Sequence, residues 1–330
     1  MSSGRMTEMT ERELLYSKAI NEAHQIVMRR DPEVILFGEN VSSSWRGATK
    51  GLKEEFGIER VRDTPITETS FIGMGVGAAI MGFRPIVELM LVDFGLVAMD
   101  QILNQMAKTP YMSGGAVKVP MVLRASYGAG TSSGATHSES LYSIFAHMPG
   151  MKVVLPSNPY DAKGLLISAV EDDNPVVYME HRLLAGTKGP VPEGYYKVPL
   201  GVANLVREGS DVTVVATGRM VGLAVQAADE LKGEVSVEVL DPRTLVPLDE
   251  EAILNSVKKT GRLVVVDEDY ERCGFSAEVA AIAAEKGFSS LKAPVSRVAQ
   301  PNVPFPFNAA LEKHLLPDRE KITRAIRNVV

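Results

Sequence analysis

The chain has 330 residues, a net charge of −6, and 45% apolar against 23% charged residues, so a sizeable core can form and about two domains are expected. Mild acidity without a basic stripe excludes a nucleic-acid binder, the single cysteine, Cys273, excludes a disulfide framework, and no apolar run is long enough to span a bilayer. Residues 1–10 are polar and lack the parts of a signal peptide; they read as a flexible leader, and the expected setting is cytoplasmic.

From there strands and helices alternate. A helix is predicted over residues 11–30, where Leu14, Leu15, Ala19, Ala23, Ile26 and Val27 recur at helical spacing and Asp31-Pro32 ends the pattern. Val34 to Phe37 is a continuous apolar run, the mark of a strand buried on both faces, and it empties into Gly38-Glu39-Asn40 and a polar loop. Residues 61–66 read as a strand and 71–82 as a helix rich in glycine and alanine, with Glu68 at the handover. Carboxylates at strand ends in α/β proteins face ligand crevices, so chemistry is sought there first. A strand over 85–91, a helix over 93–111, a strand over 119–125, a glycine- and serine-rich loop over 126–134 and a helix over 136–147 follow. A strand at 152–155, a helix at 160–171 and a strand at 175–180 complete an α/β domain over residues 11–185 with a mainly parallel sheet. Residues 186–200, rich in glycine and proline, read as a linker. The alternation restarts over 201–330 as a second, smaller α/β domain with few obvious polar constellations.

Gly73-Met-Gly-Val-Gly77 has the spacing of a dinucleotide fingerprint, which keeps a nicotinamide-dependent dehydrogenase as a remote alternative. The glycines fall inside the helical run rather than in a turn before it, and Glu88 sits mid-strand instead of at the end of the next strand, so close helix packing is the favoured account. There is no phosphate-binding Gly-x-x-x-x-Gly-Lys-Ser/Thr loop and no Gly-x-Ser-x-Gly elbow. His137, beside the glycine loop, is a candidate general acid/base, against the plainer reading of a surface histidine. Asp172-Asp173-Asn174-Pro175 reads as a turn or as a source of oxygen ligands for a cation.

The run Asp63-Thr-Pro-Ile-Thr-Glu68 with the glycines after it resembles the beta subunit of the thiamine-diphosphate-dependent first component of 2-oxo acid dehydrogenase complexes. Asp100-Gln-Ile-Leu-Asn-Gln105, Tyr111-Met-Ser-Gly-Gly115, His137-Ser-Glu139, Pro156-Ser-Asn-Pro-Tyr-Asp-Ala-Lys-Gly164 and Asp241-Pro-Arg-Thr-Leu-Val-Pro-Leu-Asp249 carry the resemblance through both domains. It implies a transketolase-like fold, a pyrimidine-binding domain followed by a transketolase-type C-terminal domain. It further implies oxidative decarboxylation of a 2-oxo acid, of the pyruvate type, with acyl transfer to lipoyl groups of a dihydrolipoyl acyltransferase. Acetoin and branched-chain 2-oxo acid dehydrogenases share this frame. The Gly-Asp-Gly segment that holds Mg2+ and the diphosphate in such enzymes is missing here and belongs to an alpha subunit, so the resemblance implies a two-alpha, two-beta heterotetramer. By the same resemblance Glu68 bonds the aminopyrimidine, Phe94 stacks on it, Ile66 and Met90 line the cofactor, and His137 assists decarboxylation or acyl transfer. Ala169, Asp172 and Asn174 match positions that hold a monovalent cation such as K+ in some members. Many members have Gln at the position of Glu139; a carboxylate there, if close, favours a charged His137.

Overall fold

The structure, a computed structural model, describes residues 12–330. Seven strands build the first sheet, in the order Thr244–Val246, Lys152–Val154, Val176–His181, Val122–Tyr127, Arg84–Leu91, Val34–Gly38 and Val61–Asp63. All are parallel except the first, which runs antiparallel to Lys152–Val154 and comes from the C-terminal half of the chain. The second sheet has five strands: Ser296–Gln300, Leu263–Tyr270, Val212–Ala216, Val237–Asp241 and an antiparallel edge strand, Asn204–Arg207. The central strands bury every side chain because helices cover both faces. One apolar cluster runs across the two lobes, joining Phe145 and Leu155 to Leu240, Leu245 and Phe275. Among the described residues, no helix is long and apolar enough to cross a membrane.

The local reading and the structure part in several places. The first helix is Tyr16–Arg30; residues Arg12–Leu15 instead form a strand antiparallel to Lys188–Val191, which takes up the backbone groups a helix would have used. Glu11 lies outside the described residues. The long helix predicted over 93–111 is three pieces, a 3-10 turn at Val92–Ala98, a π-helical turn at Gln101–Met106 and an α-helix at Ala107–Met112. Pro110, inside the last piece, has no N–H to give to a regular ladder. The helix predicted from Thr136 begins only at Tyr142, because the backbone before it is bonded elsewhere: Gly128 donates to the Glu139 carbonyl (3.0 Å) and Glu139 to the Asp93 carboxylate (3.2 Å). The C-terminal lobe is also not poor in polar groups, since Asp267, Glu268 and Asp269 lie buried at the end of one strand.

Candidate active site

The C-terminal ends of the parallel strands in the first sheet converge on one cleft of about 510 Å3, lined by Glu68, Asp93, Phe94, Leu96, Val97, Ala135, Thr136, His137 and Glu139. Crevices at this edge are where α/β sheets bind ligands. Glu68 arrives there because the edge strand stops at Asp63, three residues before the predicted end. Thr64 then bonds the Gly38 carbonyl (2.9 Å), and the glycine-rich helix Glu68–Ile80 starts on Glu68 itself. A carboxylate in the first turn suits the positive end of that helix, the end at which a dinucleotide fold would instead receive a pyrophosphate. The glycines serve packing instead: a Cβ at Gly75 would lie 2.6 Å from a Val87 methyl, and one at Gly73 would lie 2.9 Å from the Gln101 side chain.

Glu39 is the partner of Glu68 that the sequence reading missed. It follows the strand Val34–Gly38 directly and is 3% exposed, and the charge of Glu68 acts on its carboxyl. Burial, then the charge of Glu68, then the charge of Glu88 push its pKa up to about 7. One oxygen, Oε1, is buried with no hydrogen-bond partner in the protein. The signal was present, since Glu39 stands at the same place on its strand as the residues that mark such crevices. Glycine is required before it, because Gly38 has φ +141° and a Cβ would fall 2.1 Å from the Glu88 carbonyl oxygen. Glu88 is held below by Arg124, which also pairs with Glu180; all three are buried.

Phe94 and His137 form the other wall. Their rings meet edge to face, 5.3 Å apart at 87°, and the Nδ1 of His137 lies 2.9 Å from the Thr136 hydroxyl. His137 is exposed. Glu139 does not bond the imidazole; its carboxylate accepts from the Tyr270 hydroxyl (3.1 Å), and burial raises its pKa. Asp93, overlooked in the sequence, is buried, and its Oδ2 has no partner. Burial raises its pKa as well.

The remaining sequence candidates lie apart from this lining. Ile66 is 78% exposed on the turn before Glu68. Met90 sits at a bulge in its strand with φ +69°, and its sulfur accepts from the Asn40 amide at 3.1 Å, Asn40 itself having φ +54°. Two non-glycine residues in contact and both held in left-handed conformations are the kind of strain that functional sites keep. Asp172 bonds Lys152 and the backbone and side chain of Asn174 (2.9 and 3.0 Å), and the Ala169 carbonyl accepts from the Asp172 N–H at 3.4 Å. Burial opposes ionisation of Asp172, but those bonds outweigh it and its pKa is lowered.

Two lobes of this topology, with carboxylates and an aromatic ring at the strand ends, define a transketolase-like protein. Residues 12–188 match the pyrimidine-binding domain of transketolase and residues 201–322 its C-terminal domain. The chain belongs to the beta subunits of the thiamine-diphosphate-dependent first components of 2-oxo acid and acetoin dehydrogenase complexes. It is 48% identical to the acetoin:2,6-dichlorophenolindophenol oxidoreductase subunit beta of Bacillus subtilis, over 93% of this chain and 94% of that one. It is 44% identical to the pyruvate dehydrogenase E1 component subunit beta of Rickettsia felis, over 94% and 97%. A split-gene transketolase solved as an inactive beta4 tetramer shares the fold, with a TM-score of 0.75, 24% identity, and coverage of 95% of this chain and 96% of that one.

Proposed function

We propose that this chain is the beta half of a first component that breaks the carbon–carbon bond beside a carbonyl and passes the acyl group to lipoyl arms of a dihydrolipoyl acyltransferase, with pyruvate as the type substrate. The carrying observation is the cleft itself, where Glu68 at a helix start shares one lining with Phe94 and His137. The site fits the pyrimidine end of thiamine diphosphate: a buried oxygen without a partner on Glu39, a carboxyl on Glu68 and an aromatic wall at Phe94. The cofactor, when bound, supplies the electron sink for the bond cleavage. Glu68 would hold the ring nitrogen and the proton on it, Phe94 would orient the ring, and Ile66 and Met90 would complete the seat. His137, exposed at the mouth, is placed to move a proton to or from an incoming lipoyl group.

The complementary half, with Mg2+ and the diphosphate, is assigned to an alpha subunit in a two-alpha, two-beta assembly. A surface suited to a partner exists: Ile66, Met74, Met81, Val97, Tyr111 and Met112 are all exposed on the glycine helix and the segments beside it. The turn at Ala169, Asp172 and Asn174 is the proposed seat for K+. An unpaired, exposed Cys273 supports the cytoplasmic setting.

Acetoin is a second donor that the cleft favours. Among the described residues its ionisable lining is Glu68, Asp93, Glu139 and His137, without lysine or arginine, so a neutral donor meets less electrostatic opposition than a 2-oxo acid anion. The 48% identity to the Bacillus subtilis subunit points the same way. Turnover of pyruvate, branched-chain 2-oxo acids and acetoin by the reconstituted alpha–beta pair decides the donor. Glu68→Gln tests the mechanism: activity is expected to fall about a hundredfold or more while the complex still assembles in gel filtration. Turnover like that of the wild type would sink the reading, and stoichiometric NAD binding in calorimetry would revive the dinucleotide alternative.

A further inference from the structure

The loop that carries His137 cannot set its own shape. Between the strand Val122–Tyr127 and the helix Tyr142–His147 the backbone passes through left-handed conformations at Gly128, Gly130, Ser132, Gly134 and Leu141, with φ of +92°, +99°, +55°, +77° and +48°. Such a run builds no ladder of its own: Gly128 bonds the Glu139 carbonyl and His137 the Gly134 carbonyl (3.3 Å), while the N–H groups of Ala129, Gly130 and Ser132 need outside acceptors. The C-terminal lobe provides them. Ala129 donates to Glu268 Oε1 (2.8 Å), and Glu312 takes the next two: Gly130 N–H to Oε1 (3.0 Å) and Ser132 N–H to Oε2 (2.9 Å). The Ser132 hydroxyl adds a long contact to Oε2 (3.4 Å). Glu312 is 3% exposed on the helix Ala309–Leu315, 175 positions and more along the chain from His137. Apolar contacts back it up: Phe305 and Leu316 pack on Ala129, and the Phe307 ring fills the space a Cβ at Gly134 would need. On the far side of His137, Tyr270 of the same lobe holds Glu139.

We infer that Glu312 is a positioning residue for the reaction: its two carboxylate oxygens fold the 128–134 turn so that His137 faces the cleft beside Phe94. The inference rests on the reading of His137 as a proton carrier. It deepens that reading, because it makes the C-terminal lobe part of the catalytic geometry rather than a separate module. A carboxylate suits the task since both oxygens accept, whereas an amide has only one accepting oxygen. Glutamine at 312 keeps one of the two backbone bonds, and alanine keeps neither.

The test uses the reconstituted alpha–beta enzyme with lipoamide as acceptor. Glu312→Ala is expected to raise hydrogen exchange at the Gly130 and Ser132 amides about tenfold. It is also expected to lower kcat about tenfold to a hundredfold, the scale on which misplaced groups act, with KM for the donor little changed and Glu312→Gln falling between. In a His137→Ala background the further loss from Glu312→Ala should vanish, since a residue that acts through His137 has nothing left to position. If exchange at Gly130 and Ser132 is unchanged, or if the Glu312 loss is the same with and without His137, the inference is overturned while the function stands. If His137→Ala alone turns over like the wild type, the role of His137 falls and Glu312 falls with it. Should Glu312→Ala fail to fold, Glu312→Gln carries the same two comparisons.

Discussion

A carboxyl group buried beside a second acidic group holds its proton more tightly than a free one. The pKa of Glu39 stands near 7 in the folded chain against an ordinary 4.5. Between those values the folded state binds more protons than the unfolded one, so stability is lost as pH rises from about 4.5 through 7. A shift of this size corresponds to on the order of 3 kcal/mol. Glu39→Gln keeps the size and removes the ionisable group. It should therefore raise the thermal midpoint at pH 8 and leave it near the wild-type value at pH 4.5, a comparison that calorimetry across pH makes directly. Identical pH slopes in the two proteins would show that Glu39 is not the group concerned. The same variant speaks to function: with the proton fixed on residue 39, the alkaline limb of turnover should flatten.

At the scale of the element, the glycine helix Glu68–Ile80 has two faces with opposite demands. Gly75 is buried, and a Cβ there would press on Val87 and Met121 at 2.6 and 2.9 Å, both in the core. Gly75→Ala is expected to cost about 1–3 kcal/mol through overpacking. Gly77 is exposed, with nothing within 4 Å of a Cβ, in line with Met74 and Met81. Gly77→Ala should stabilise the isolated chain by up to about 1 kcal/mol through helix propensity. It should also weaken association with the alpha subunit if that subunit rests on this stripe. Thermal unfolding of the beta chain and sedimentation of the mixture measure the two effects separately. The helix itself was legible from its apolar and small residues, and so was Glu68, because a carboxylate between a strand and a helix is a local pattern. The conformation around His137 was not. Residues 136–147 read as one helix, yet Asp93 and Tyr270 hold Glu139 in an irregular path, and no window of sequence contains both partners.

Across the whole molecule, the alternation of strands and helices was readable because each element is apolar at its own period, and it led to the two-lobed parallel architecture. The contacts between lobes were not readable, because they join residues more than eighty positions apart: Glu268 with His181 (3.0 Å), Asp267 with Tyr142, Asp241 with Ser157. Those contacts bury carboxyl groups at the lobe junction, and this has a consequence for stability. Asp241 is fully buried; burial, and the nearby charge of Asp161, push its pKa up to about 7 despite bonds from Ser157 and the Arg243 N–H. Asp267, facing Asp269, is pushed up to about 6, also chiefly by burial. Both groups bind protons more tightly in the folded chain, so their contribution is fully present below about pH 4 and is lost as pH rises through 6 and 7. Asp241→Asn preserves the geometry, since its amide oxygen accepts from Arg243 and its NH2 donates to the Ser157 oxygen, and it removes the charge. The expected gain at pH 8 is on the order of 2–4 kcal/mol, read as a higher thermal midpoint and a shallower decline between pH 5 and 8. A charge-neutral variant no more stable than wild type at pH 8 would mean that Asp241 is ionised and satisfied in the native protein, with Arg243 rather than a proton balancing it.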